Sequence, residues 1–198
     1  MDKEERKALR DSLRQARLDL NPVEQSVAAQ DLHDLVAEQE FFMNASHIVF
    51  YQSMDGEIDP KPLLDKALAE GKSCYLPTLL KDSAGQMSFA PYDHDTELTE
   101  NDWGIGEPPL PNEEISLTNF DVVFVPLVGF DENCFRLGMG KGFYDRTFSF
   151  KIFNRRSRPL LVGLAHECQL TDSFPTASWD VRLDAVITAE KVYRPDTA

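Results

Sequence analysis

Residues Asp121 to Leu127, DVVFVPL, form a near-continuous apolar run, the pattern of a strand buried on both faces of a parallel sheet. Such a strand needs hydrogen-bonded partners on either side and helices above and below it, which restricts the chain to an α/β layer structure. A glycine-bearing loop follows, and a helix is expected from about Lys141 to Phe153. In open α/β sheets this strand-to-helix crossing is where ligands bind.

The remaining segments supply the partners. His47 to Gln52 and Cys74 to Leu79 read as strands around a helix from Pro60 to Glu70 that Gly71 stops, a unit that favours parallel pairing. A turn at Lys81 to Gly85 should fold Gln86 to Tyr92 back as an edge hairpin. Pro159 to Ala165 and Ala185 to Thr188 give two later strands, and Asp93 to Asn112 carries too many prolines and glycines for one element. Between Arg6 and Leu20, Leu9, Leu13, Ala16 and Leu20 form a helical apolar stripe beside a second stripe of Arg6, Arg10, Arg14 and Arg17. Asn21-Pro22-Val23-Glu24 opens a second helix, expected to reach about Glu40. The whole, residues 1–198, is expected as one α/β domain with a mainly parallel, Rossmann-like sheet flanked by helices.

Charge narrows the function. Twenty Lys and Arg against 34 Asp and Glu leave a net charge of −14, which argues against sequence-independent binding to nucleic acid or to anionic membrane. The first twenty residues are too charged for the apolar core of a signal peptide, and no apolar run approaches the roughly 18 residues of a membrane span, so a cytoplasmic location is expected. Cys74, Cys134 and Cys168 have neither disulfide-framework nor zinc-site spacing and read as reduced thiols. Residues 136–158, in contrast, hold seven cations against the single acid Asp145. A positive focus in a negative chain favours a compact polyanion, with phosphates the obvious candidates.

That segment opens with Arg136-Leu137-Gly138-Met139-Gly140-Lys141-Gly142-Phe143-Tyr144-Asp145. Alternate glycines let backbone N–H groups approach an oxyanion, and a helix N-terminus behind them adds about half a positive charge. The pattern matches neither a Walker A loop nor the dinucleotide-binding glycine spacing. Together with Val125-Pro126-Leu127-Val128-Gly129-Phe130-Asp131 before it, the loop strongly resembles the signature of the 5-formyltetrahydrofolate cyclo-ligase family. The resemblance extends to Arg6 and Arg10, Met54-Asp55-Gly56-Glu57, Trp103-Gly104-Ile105-Gly106-Glu107-Pro108, Val162-Gly163-Leu164-Ala165 with Gln169, Trp179-Asp180 and Leu183 to Thr188.

The resemblance implies a sheet architecture like that of sugar-phosphate isomerases and CoA-transferases, and an ATP-dependent, Mg²⁺-requiring closure of 5-formyltetrahydrofolate to 5,10-methenyltetrahydrofolate by a monomer. It implies that Arg6, Arg10 and the loop Arg136, Leu137, Gly138, Met139, Gly140, Lys141, Gly142, Phe143 and Tyr144 bind ATP, with Arg136, Lys141 and Tyr144 as the catalytic set. Gln52, Glu57 and Trp103, with Met139 to Phe143 of the loop, would meet the folate, and Asp145 and Asp184 the magnesium. Carboxylates suit this hard cation, and a carboxylate at 57 can accept hydrogen bonds from pterin N–H groups.

Competing readings differ in their marks. A non-catalytic paralogue would bind nucleotide or folate without ADP formation, and an isomerase- or transferase-like enzyme would be indifferent to ATP. Leu127 and Cys134 stand where the family often has glycine, and Phe143 where it has tyrosine. Arg14 and Arg17 are expected on the surface, and Arg155 to Arg158 in a solvated loop. The proposed chemistry needs no thiol nucleophile from Cys134 or Cys168.

Overall fold

A computed structural model describes residues 1–79, 85–111, 113–155 and 157–196. In chain order the elements are α1 (Lys3–Leu18), α2 (Pro22–Ala37), α3 (Glu40–Met43), β1 (His47–Val49), α4 (Lys61–Ala69), β2 (Ser73–Leu79), β3 (Met87–Tyr92), β4 (Thr99–Glu100), β5 (Gly106–Glu107), β6 (Val122–Pro126), β7 (Gly129–Phe130), β8 (Arg136–Leu137), α5 (Phe143–Thr147), β9 (Leu160–Leu164), β10 (Ala185–Ile187) and β11 (Val192–Tyr193). Seven strands form the main sheet in the order β11-β10-β9-β6-β1-β2-β3. The five inner strands run parallel, and an antiparallel strand closes each edge: β3 on β2, as the hairpin pattern predicts, and β11 on β10. The hairpin turn itself, apart from Gly85, lies outside the described residues.

The strand that constrains the sequence most, β6, occupies the middle of the sheet. Val122 and Phe124 enter the core on one face with Phe50, Leu32 and Leu63, while Val123 and Val125 enter the other with Phe130 and Phe148. Burial on both sides explains the unbroken apolar run, each such side chain contributing about 1.5–3 kcal/mol. α2 is capped as its sequence requires, Asn21 Oδ1 accepting from the N–H groups of Val23 and Glu24 and the Glu24 carboxylate from that of Asn21. It ends at Ala37, and α3 follows as a separate turn.

Two predicted elements are shorter than expected. The helix after the glycine loop runs only over Phe143–Thr147 before a 3₁₀ turn at Ser149–Ile152, because Phe148 leaves helical geometry to bury its ring against Phe89 and Tyr144. β1 ends at Val49, freeing Tyr51 and Gln52 from the ladder. The small ribbons β4–β5 and β7–β8 arise in stretches that show no strand pattern. α1 lies across the second of these: Leu9 and Leu13 pack with Val128 and Leu137, and a Cβ at Gly129 would stand 2.3 Å from Leu13 Cδ1. Only a residue without a side chain lets the helix approach so closely.

Candidate active site

The carboxyl ends of β1, β2 and β6 open into a cavity of about 890 Å³. Tyr51, Gln52 and Glu57, which follow β1, form one wall, and the loop Arg136–Arg146 forms the facing one. Arg6 and Arg10 enter from α1, Trp103 from the irregular stretch, and Trp179 and Asp180 from the segment before β10. The structure therefore brings Arg6, Arg10, Gln52, Glu57, Trp103, Arg136 to Tyr144 and Asp145 to one cavity.

The loop is held from three sides. Arg10 donates from Nε to the Gly138 carbonyl at 2.8 Å, tying α1 to the loop. Arg146 donates from Nη2 to the Lys141 carbonyl at 2.5 Å and from Nε to the Gly85 carbonyl at 3.1 Å, with its guanidinium 5.7 Å from the Phe143 ring centre. Gly140 and Gly142 take φ of +88° and +68°, values that expose backbone N–H groups and strain any other residue. Lys141 stands between them with an exposed side chain. A five-residue helix carries little of the macrodipole, so positive charge here comes from side chains and individual N–H groups.

Arg136 has a structural task. It is buried, donating from Nη1 to the Val181 carbonyl at 2.6 Å and from Nη2 to Asp145 Oδ1 at 2.7 Å. The same Oδ1 accepts the Val181 N–H at 3.0 Å. Tyr144 lies beneath, its ring centre 6.0 Å from the Arg136 guanidinium carbon, and burial pushes its phenol above the ordinary range. It is a neutral hydroxyl at any working pH. On the opposite wall, burial pushes the Glu57 carboxyl up to about 7, against the pull of the Arg17 guanidinium 3.7 Å away. Tyr51 donates to the Ile58 carbonyl at 2.7 Å and fixes the chain beyond Glu57, while Trp103 meets the Phe143 ring edge-on at 6.2 Å.

Asp184 does not share this site. It precedes β10 at the amino ends of the parallel strands and does not line the cavity. Its Oδ2 accepts from Lys151 Nζ at 2.8 Å and from the Leu161 N–H at 2.7 Å, so it ties two elements of the fold. Among the described residues no group of three His, Cys, Asp or Glu side chains is arranged to hold a metal ion. Asp145 in the cavity still suits Mg²⁺, which takes one or two carboxylates and completes its shell with phosphate and water.

The basic segment divides in the same way. Arg136, Lys141 and Arg146 face the cavity, whereas Lys151 is buried with Asp184 and Arg158 pairs with Asp121 before β6. Arg156 lies outside the described residues. The cations that replace them come from α1. Arg17, expected on the surface, is fully buried. The signal lay in the spacing, since Leu9, Leu13 and Arg17 continue one i, i+4 row into the packed face.

The loop substitutions are absorbed locally. Cys134 takes the left-handed φ of 63° that glycine favours, keeping the turn, and burial pushes its thiol up to about 11, which makes it a poor nucleophile. Leu127 is buried with its Cδ2 at the place where a Cβ on Gly163 would be only 2.7 Å away.

A mainly parallel sheet whose carboxyl edge carries a glycine-rich, arginine-supported loop opposite a carboxylate defines an α/β protein with its cavity at the place where such sheets bind ligands. A family model described as the 5-formyltetrahydrofolate cyclo-ligase family matches residues 2–189, and the chain belongs to that family. It is 38% identical over 182 residues to the 5-formyltetrahydrofolate cyclo-ligase of Escherichia coli K12, covering 91% of this chain and 98% of that one. Identity to the Haemophilus influenzae enzyme of the same name is 36% over 185 residues, or 92% and 97% of the two chains. The solved 5,10-methenyltetrahydrofolate synthetase of Aquifex aeolicus superposes with a TM-score of 0.81 at 27% identity, covering 98% of this chain and 94% of that one.

Proposed function

We propose that this cavity closes 5-formyltetrahydrofolate to 5,10-methenyltetrahydrofolate at the expense of ATP, in the cytoplasm and as a monomer. The observation that carries this reading is the juxtaposition of the Arg10-tied glycine loop with Glu57 across one cavity. The formyl oxygen forms a bond to the γ-phosphorus as the bond to ADP breaks. N10 then attacks the formyl carbon and gives up its proton, and the C–O bond breaks to release phosphate. No enzyme nucleophile is needed, so the demand on the protein is alignment and charge neutralisation.

The residues divide that demand. Arg6, Arg10, Lys141 and the loop N–H groups take phosphate oxygens. Arg136 holds Asp145 and the 181 carbonyl so that the loop keeps its shape, acting through the loop it anchors. Tyr144 offers a neutral O–H donor. Glu57 and Gln52 accept and donate to the pterin edge, with Trp103 and Phe143 as aromatic walls. Asp145 would hold Mg²⁺, which when bound neutralises charge on the transferring phosphate.

Purified protein mixed with 5-formyltetrahydrofolate, ATP and Mg²⁺ should develop the near-ultraviolet absorbance of the conjugated methenyl product, with equimolar ADP. ADP formation independent of folate, or no product, rejects the proposal.

A further inference from the structure

Glu57 closes a tight turn of the kind that an Asp-Gly pair favours, its N–H donating to the Met54 carbonyl at 3.0 Å. Asp55 and Gly56 both lie in the left-handed region, with φ of 55° and 73°, and a Cβ at Gly56 would press on the Arg17 carbonyl and Leu18 Cδ2 at 3.2 Å. The turn is therefore locally favoured, and what needs a distant partner is its placement beside the end of β6. Arg17 imposes it. From α1 it donates from Nε to the Asp55 carbonyl at 2.7 Å, from Nη2 to Asp55 Oδ2 at 3.1 Å and from Nη1 to the Leu127 carbonyl at 3.0 Å. The guanidinium thus joins the turn to the end of β6 and stands 3.7 Å from Glu57 Oε1.

We propose that Arg17 is a positioning residue for folate binding, holding the 54–57 turn and the Glu57 carboxylate in place through contacts that no lysine could make together. This rests on the assignment of Glu57 to the folate. The groups facing Glu57 are Arg17 from α1, Asp55 from its own turn, and the phenols of Tyr51 and Tyr144, whose pKa values Glu57 raises. Arg17 favours the ionised form most, and the Met54 N–H, which donates to Glu57 Oε2 at 3.3 Å, adds to it. The helix that carries Arg17 also carries Arg6 and Arg10, which line the cavity.

Arg17→Met should raise the folate KM by about tenfold or more, with the ATP KM changed less than about twofold. Folate KM should rise on acidification in the wild type, because the pterin contact needs the carboxylate, and in Arg17→Met that limb should move to higher pH. A merely structural role would lower stability without moving the limb. Arg17→Lys returns the charge but not the three carbonyl and carboxylate bonds, so its limb should sit near the wild-type position while its folate KM stays raised; this variant carries the test if Arg17→Met does not fold. Combined with Glu57→Gln, Arg17→Met should add less to the folate KM than it does alone. An unchanged folate KM in folded Arg17→Lys, or equal rises for both substrates, overturns the role of Arg17. Glu57→Gln with an unchanged folate KM overturns the assignment of Glu57 instead.

Discussion

The two ends of the parallel strands use the same ion chemistry for opposite purposes. At the carboxyl ends, Arg136 and Asp145 hold a loop that stays open to a cavity. At the amino ends, Lys151 donates to Asp184 and to the Pro159 and Ser157 carbonyls, its charge spent inside the fold. These four residues are drawn from one basic segment and one terminal acid, so proximity in sequence says little about which end a charge serves. Strand polarity decides it: residues 136–146 follow the carboxyl end of β6, and residues 151–158 lead into the amino end of β9.

The sharpest way to break this contrast is Lys151→Ala. Removing one partner of a buried pair leaves Asp184 without its cation and should cost about 3–5 kcal/mol, read as a lowered denaturant midpoint, while both KM values of the surviving folded enzyme stay unchanged. A shifted ATP KM would mean that the amino end reaches the nucleotide after all. Glu57→Gln probes the other end with the reverse sign. The folded-state pKa of Glu57, about 7, lies above its ordinary 4.5, so the stability it confers is full below about pH 4.5 and is lost as pH rises through 7. At pH 8 the variant should therefore be more stable than the wild type by about 3 kcal/mol, with the difference vanishing near pH 4.5. Urea melts at the two pH values check this, and folate binding should weaken in the same protein.

Smaller effects refine the picture. Lys141→Ala should raise the ATP KM and slow turnover by about tenfold with an unaltered melting temperature, since an exposed lysine between two glycines supplies charge and little packing. Unchanged kinetics would show that Lys141 points away from phosphate. Arg158→Ala, which removes an ion pair whose cation is exposed, should change stability by at most about 1 kcal/mol and leave catalysis alone.

Periodicity revealed the elements that hold the core. The run at β6, the strand-helix-strand unit of β1, α4 and β2, and the hairpin to β3 all follow from patterns that burial imposes on sequence. The ribbons β4–β5 and β7–β8 left no such trace, since two-residue strands are held by loops packed against them and need no alternation of their own. The glycine loop, Arg10 and Glu57 could be picked out by motif. The burial of Arg17 could be read from its place in the Leu9–Leu13 row, but its role and that of Asp184 could not, because the groups they meet, Asp55 and Lys151, lie far off in the chain.

The fit of Leu127 to Gly163 has a consequence over longer times. The isobutyl group occupies room that exists only because residue 163 on the neighbouring strand has no side chain, and Leu183 presses on the same spot. Three sites are therefore coupled: a methyl at 163 would stand 2.7 Å from the Leu127 and 2.8 Å from the Leu183 side chain, so shrinking 127 alone does not release 163 to vary. Substitution histories at 127, 163 and 183 should be ordered rather than independent, and a laboratory library randomised at 127 and 163 alone should return glycine at 163 whatever stands at 127.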